Sequence, residues 1–312
     1  MERKMSRGLV IISGATGFIG RALFRELAEN GYDIAVLTRD REKARAQFGD
    51  RAIIAEWDGK TSRGWLELAS RSSAIINLAG ENIGAGRWTE QRKQRIVQSR
   101  VDAGKAVTEA VEKATAKPKA IIQASAVGYY GPKDDEPLDE SAPPGEGFLA
   151  ETVRRWELST QETEAIGVRR VVIRSGLVLG KDGGTLPRFL KAFRFSVGGQ
   201  LGSGKQWFPW IHWKDEIAAI RFLLEREDAS GVFNLVSPES LTMKEFAVAL
   251  GRVLKRPSGF PVPAFLLRLL FGEMAEETIL SSQRVLPAAL IKAGFKFQYP
   301  EIESALRDIL AA

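Results

Sequence analysis

Cysteine is absent from this 312-residue chain, and histidine occurs once, at His212. Disulfides and thiolate metal sites are thereby excluded, as are metal centres built from several imidazoles, and no metal site is expected. No apolar run approaches the ~18 residues of a membrane-spanning helix. The opening MERKMSRG is basic but too short and polar for a secretory signal, so a cytoplasmic protein is expected. Blocks of like charge are also missing. The formal charge is +6, yet the basic residues of 39–45 and 92–100 are interspersed with acidic and neutral ones, as on solvated faces. No nucleic-acid-binding motif accompanies them, so neither nucleic acid nor membrane is an expected partner. A basic cleft for a phosphorylated cofactor or an anionic substrate accounts for the excess more economically.

The chain is organised around residues 9–31, LVIISGATGFIGRALFRELAENG. Leu9, Val10, Ile11 and Ile12 have the length and branching of a buried parallel strand. Ser13 ends it, and Gly14, Gly17 and Gly20 follow at three-residue spacing. Residues 21–30 predict a helix with Ala22, Leu23 and Leu27 on its apolar face, stopped by Asn30-Gly31. Strand, glycine turn and helix form the context of a dinucleotide fingerprint. In it Gly14 makes the tight turn, Gly17 lets backbone N–H groups approach a pyrophosphate, and Gly20 permits close helix–strand packing. The positive end of the helix faces the anion. Thr16, Phe18 and Ile19 share the loop and count with it as cofactor contacts. A glycine-bearing surface turn is the plainer alternative.

The word SGATGFIG, with its GxxGxxG spacing, resembles the extended short-chain dehydrogenase/reductase class, the NAD(P)-dependent epimerase/dehydratases. The resemblance implies an α/β fold: a Rossmann-type doubly wound parallel sheet with a smaller substrate-side region and a C-terminal helical extension. A second strand, residues 34–37, ends at Thr38-Arg39. An acid there binds both ribose hydroxyls and favours NAD, whereas a cation accommodates a 2′-phosphate. Arg39 therefore favours NADP(H) over NAD(H); a cation merely heading a solvated loop is the other reading. A third strand is expected at 52–55, and the resemblance puts Asp58 beside the adenine. After a helix at 65–70 and a strand at 74–78, the resemblance lays the small-residue turn Leu78, Ala79 and Gly80 along the cofactor. Trp88 either lines a pocket or anchors its loop, and a long helix is expected from residue 89.

Residues 119–124 read as the fifth strand, bringing Ala124 to the cofactor and running into SAVGYYG. The resemblance gives Ser125 the hydrogen bond to the reacting oxygen. The set NLAG, RW, SR, SAVGYYG and a WE-containing helix narrows it to one branch, which carries a C-terminal domain of unknown function. One departure is decisive. The general acid/base of the family is a Tyr four residues before a Lys on the helix after the strand-five loop, and the helical segment FLAETVRRWE here carries neither Tyr nor Lys. By spacing, those positions fall on Phe148 and Thr152, which supply neither an ionisable proton nor a cation. Glu151 and Glu157 on the same helix read as solvated groups or packing partners. Tyr129 and Tyr130, four and five residues after Ser125, are the substitute catalytic candidates.

A sixth strand at 171–173 leads into Gly176, Leu177 and Val178, which the resemblance places against the nicotinamide carboxamide. His212 among aromatics is either an acid/base or a hydrogen-bonded structural group, and Asp215 is expected to cap the helix after it. Helices are expected at 241–254 and through the tail from 264, the segment FLLRLLFG packing on the body. The expected division is a nucleotide-binding domain over 1–180, rejoined by 205–236. A substrate-side region at 181–204 and 237–263 and a helical extension at 264–312 complete it. The expected activity is that of an NADP(H)-binding, epimerase-like oxidoreductase of unidentified small-molecule substrate. The alternative is a weakly active or inactive regulatory protein resembling division factors. A homodimer is compatible with either.

Overall fold

A computed structural model describes residues 6–195 and 198–311; the basic start at residues 1–5 lies outside the described residues. Seven parallel strands form the central sheet: β1 (Leu9–Ser13), β2 (Asp33–Thr38), β3 (Ile53–Glu56), β4 (Ser72–Asn77), β5 (Ala120–Ala126), β6 (Arg169–Ser175) and β7 (Gly231–Leu235). Their spatial order is 7-6-5-4-1-2-3. The chain thus winds one way from β1 and then the other from β4, and the crevice between those two strands is where such sheets bind ligands.

Both faces of the sheet are covered, which is why its strands read as continuous apolar runs. Val10 and Ile12 point to one core, shared with Leu23, Phe24 and Leu27 of α1 (Phe18–Glu29) and with Phe48 of α2 (Arg41–Phe48). Ile11 points to the other, shared with Ala69 of α3 (Leu66–Arg71) and with Val107 and Val111 of α4 (Glu90–Lys113). Adjacent strand residues serve opposite layers because the side-chain period of a strand is two. The first helix starts at Phe18 rather than Arg21, because Gly17 caps it in extended geometry and Gly20 lies within it.

Beyond the sheet come α5 (Phe148–Leu158), α6 (Trp213–Glu225), α7 (Met243–Leu254), α8 (Ala264–Phe271) and α9 (Ile302–Ala311). A separate core joins α7 and α9 to the helix Leu186–Arg194 through Phe193, Phe246, Leu250, Leu306 and Ile309. That helix was not expected from sequence. Neither were two small parallel pairs, Leu177–Leu179 with Trp210–His212, and Pro137–Leu138 with Arg284–Val285. Such short strands carry too few residues to show a period.

Two local expectations are corrected. Asp215 does not cap α6; His212 does, its Nδ1 accepting from Lys214 N at 3.0 Å. Asp215 is fully buried one turn in, and its carboxylate accepts from the backbone of Gln298 and Tyr299. It therefore ties the tail to α6. The apolar stretch of α8 packs on the body only in part: Leu267 is buried and Phe271 packs against Trp88, Ile96 and Met274, but Phe265, Leu269 and Leu270 are exposed.

Candidate cofactor and active site

Parallel pairing puts the C-terminal ends of β1, β2, β4, β5 and β6 on one edge of the sheet. These ends and the segments that follow them carry Gly14, Arg39, Leu78–Gly80, Ser125 and Gly176. The β1 and β4 loops touch. Gly14 has φ +70, and a Cβ there would lie 2.8 Å from the carbonyl of Leu78. A Cβ on Gly20 would fall 2.4 Å from Gly14 O, inside any van der Waals contact. Only glycine permits this strand–turn–helix at both positions. Gly17 N closes the turn onto Gly14 O at 3.0 Å. Thr16, Phe18 and Ile19 are half-buried beside it, with the Phe18 ring seated against Gly180 and Gly183.

Behind the loop runs a polar ladder that the sequence reading missed. Ser13 Oγ donates to Asn77 Oδ1 at 2.6 Å, Asn77 Nδ2 to Gln123 Oε1 at 2.9 Å, and Gln123 Nε2 to Ala124 O at 2.7 Å. All three side chains are fully buried. Each bond is worth only about 1 kcal/mol net, but an unpaired buried amide costs more, so the set holds three strand ends in one register. The reader of NLAG sees a small turn; its Asn77 is the central member of this ladder.

At the end of β2, Arg39 is exposed and makes no hydrogen bond or ion pair among the described residues. Asp40 beside it is consumed as the cap of α2, accepting from Lys43 N. Asp58 lies off β3, with its carboxylate committed to its own turn through Lys60 N, Thr61 N and Thr61 Oγ1. Against Gly80, the Arg100 guanidinium donates to Glu81 O and Ile96 O and lies 4.9 Å from the Trp156 ring centre. Burial lowers its pKa to about 10.

The β5–β6 end is built from side chains. Ser125 Oγ donates to Glu157 Oε1 at 2.5 Å. Glu157 in turn forms a two-pronged pair with Arg174, Nε to Oε1 at 2.8 Å and Nη2 to Oε2 at 3.0 Å. Burial alone would lower the Arg174 pKa, but the Glu157 carboxylate more than offsets it and raises the guanidinium pKa. Arg174 Nη1 donates to Tyr130 OH at 3.0 Å, and that hydroxyl donates to Asn234 Oδ1 at 2.7 Å. Tyr130 is fully buried, and burial lifts its pKa. Its phenol is thus saturated. Tyr129 is half-buried instead, with the Arg174 guanidinium carbon 3.4 Å from its ring centre. Glu157, expected to be solvated or packing, is the hub of this network.

Phe148 and Thr152 are engaged elsewhere. The Phe148 ring packs edge-on to Trp88 at 5.0 Å, with Lys93 Nζ 4.9 Å from its centre. Thr152 Oγ1 donates back to Phe148 O at 2.7 Å. Trp88 is an anchor, buried with Nε1 on Ile83 O. The tail also reaches this helix: the Glu277 carboxylate accepts from Phe148 N and Leu149 N, both at 3.0 Å. A negative group at a helix N-terminus is favourable. No local pattern could reveal a cap 129 residues away in sequence.

Ala124 is buried on β5. Past β6, Gly176 N donates to Leu235 O and Leu177 N to Pro209 O, while Val178 sits in the small strand pair. Ser175 Oγ donates to Glu216 Oε1 at 2.6 Å; Glu216 is wholly buried, and its pKa rises from 4.5 to about 8. His212 lies away from these groups, its Nε2 3.1 Å from Asp308 Oδ2 and its ring stacked 4.0 Å from Tyr299. Burial lowers its pKa to about 4. A fully buried imidazole with Nδ1 hydrogen-bonded and Nε2 facing the Asp308 carboxylate is a structural joint between α6 and α9. Among the described residues no cluster of His, Asp or Glu could hold a metal ion, and no helix is long and apolar enough to cross a membrane.

Residues 10–235 match the model of the NAD dependent epimerase/dehydratase family, and residues 262–309 match a domain of unknown function, DUF1731. The chain is 39% identical to the chloroplastic homolog of epimerase family protein SDR39U1 from Arabidopsis thaliana, over 99% of this chain and 88% of that protein. It is 38% identical to epimerase family protein YfhF of Bacillus subtilis, over 97% and 98% of the two chains. The crystal structure of human epimerase family protein SDR39U1 (isoform 2) with NADPH superposes with a TM-score of 0.87 at 33% identity, covering 97% of this chain and 99% of that one. The sheet order, the glycine loop and these matches agree: the chain belongs to the NAD dependent epimerase/dehydratase family.

Proposed function

We propose that this protein binds NADP(H) and acts as an epimerase-like oxidoreductase on a small-molecule substrate. The observation that carries the reading is the glycine loop pressed against Leu78, with the partnerless Arg39 at the neighbouring strand end. Gly14, Thr16, Gly17, Phe18, Ile19 and Gly20 would receive the pyrophosphate, and Arg39 the 2′-phosphate. Leu78, Ala79, Gly80 and Ala124 would flank the ribose and nicotinamide, with Gly176, Leu177 and Val178 at the carboxamide end. The human relative crystallised with NADPH supports the phosphorylated cofactor. The bound cofactor would supply hydride transfer, and the residues of this chain would orient the substrate and manage its proton.

In this reading Ser125 meets the reacting oxygen and Tyr129 supplies the proton. Tyr130 is excluded from that work by its saturated, buried hydroxyl. The Glu157–Arg174 pair holds both groups from behind, Glu157 fixing the Ser125 rotor and Arg174 lying under the Tyr129 ring. Preorganised groups of this kind lower a barrier because they need no rearrangement as the reaction proceeds. A cytoplasmic location is proposed alongside it.

A second reading is favoured by Phe148 and Thr152, both consumed in packing and helix bonds. There the protein binds cofactor without efficient turnover. The decisive experiment is deuterium transfer from [4-²H]NADPH into a panel of carbonyl compounds and nucleotide sugars. Turnover that falls at least tenfold in Tyr129→Phe, with NADPH affinity intact, supports the enzyme. Bound cofactor with no exchange in any arm overturns it in favour of the second reading.

A further inference from the structure

Between α1 and the end of α2 lies a cavity of about 260 Å³, lined by Arg21, Phe24, Arg25, Gln47, Phe48, Gly49 and Arg51. Arg21 and Arg25 stand four residues apart and so share a face of α1. Gln47 and Phe48 come from the last turn of α2, and Arg51 from the 3₁₀ turn after it. Phe24 and Phe48, 4.4 Å apart between ring centres, form the floor, and the Arg51 guanidinium lies 5.8 Å from the Phe24 ring centre.

Every charged or amide side chain on this lining presents donors, and no carboxylate lines it. None of the three arginines makes an ion pair among the described residues, the adjacent Asp50 included. Three like charges around one space repel each other, and an anion between them reverses the sign of that interaction. A second observation is independent of charge: Gln47 Nε2 is buried and has no hydrogen-bond partner. Buried amide donors are rarely left unpaired.

This is not the dinucleotide site. Arg25 lies seven residues past the start of α1, roughly 10 Å along it at 1.5 Å per residue. Arg51 follows the far end of α2, which starts at the cofactor edge and runs away from it. The volume lies below the ~300 Å³ at which drug-sized ligands begin to fit, so the occupant is small. Guanidinium forks match phosphate oxygens in pairs.

We propose that this cavity is a binding site for a small phosphate-bearing anion of about the size of a diphosphate. Titration calorimetry of the full chain with inorganic pyrophosphate, and separately with inorganic phosphate, tests it at low ionic strength. Saturable pyrophosphate binding is expected to weaken at least tenfold in Arg25→Ala/Arg51→Ala and to survive saturating NADPH. Both arginines are exposed, so an unchanged melting temperature is expected and separates lost binding from lost fold. Gln47→Leu, which keeps the charges, is expected to weaken binding a further few-fold by itself. Phosphate binding as tightly as pyrophosphate would assign the cavity to a single phosphoryl group. An affinity unchanged in the double variant, displacement by NADPH, or no saturable heat overturns the proposal.

Discussion

The two halves of the candidate site are built from different materials. The β1–β2–β4 half offers mainly backbone: three glycines, a small-residue turn and Arg39, unpaired among the described residues. The β5–β6 half is a side-chain lattice in which Ser125, Glu157, Arg174, Tyr130 and Asn234 each satisfy another. A backbone cradle tolerates no added atoms but asks little of distant residues. A buried ionic lattice is the reverse: each member depends on partners tens of residues away, and losing one strands a charge. This difference teaches why glycine spacing survives alone as a signature, whereas the β5–β6 half had to be assembled by folding.

That contrast can be broken deliberately. The largest expected effect is on stability against pH at Glu216. Its folded pKa of about 8 stands above its ordinary 4.5, so the folded state holds a proton that the unfolded chain releases. The Glu216 contribution to stability is therefore fully present below pH 4.5 and is lost as pH rises to about 8, by up to ~5 kcal/mol at ~1.4 kcal/mol per pH unit. Urea unfolding at several pH values should show that slope in the wild type and lose it in Glu216→Gln. His212 contributes the opposite slope between its lowered pKa of about 4 and its ordinary 6.5. The difference between wild type and variant isolates Glu216; equal slopes would refute its buried proton.

Next comes the lattice. Glu157→Ala leaves Arg174 buried and unpaired, and is expected to destabilise the protein by ~3–5 kcal/mol in urea unfolding. NADPH affinity of the folded fraction should stay within about twofold. A change under ~1 kcal/mol would mean that the pair is open to water.

Smaller in energy, but confined to the cradle, is Gly20→Ala. The added Cβ forces backbone apart at 2.4 Å, and at least a hundredfold loss of NADPH affinity is expected, ~2.7 kcal/mol. Unchanged fluorescence titration would show that the loop does not hold the cofactor. Arg39→Ala should be the mildest, raising the Kd for NADPH about tenfold, ~1.4 kcal/mol, and leaving NADH unchanged. Equal losses for both cofactors would remove the 2′-phosphate from Arg39.

Much of the sheet was legible because its strands are buried on both faces. The runs at Leu9, Ile34, Ala74 and Ala120 need no partner to be recognised as strands. Boundaries moved by a few residues where a glycine or a cap decided them, as at Gly17. The short pairs at 177–179 and 137–138 were not legible, since two or three residues carry no period. Ser125 and the paired tyrosines could be named from their place after β5, but nothing local distinguishes Tyr129 from Tyr130. Only the fold buries one phenol against Asn234 and leaves the other beside Arg174.

The sequence by itself determined the buried strand runs, the dinucleotide-type glycine turn, the cation at the end of β2 and the absence of a Tyr–Lys pair from the helix of Phe148. These are properties of residue type at short spacing, and steric exclusion at glycine acts over a few bonds. Tertiary structure alone decided that Glu157 pairs with Arg174, that Glu277 caps the helix of Phe148 and that His212 is a joint to Asp308. It also decided that three arginines meet around one cavity. Those outcomes rest on desolvation and pairing between groups far apart in the chain, and neither exists until the chain has folded.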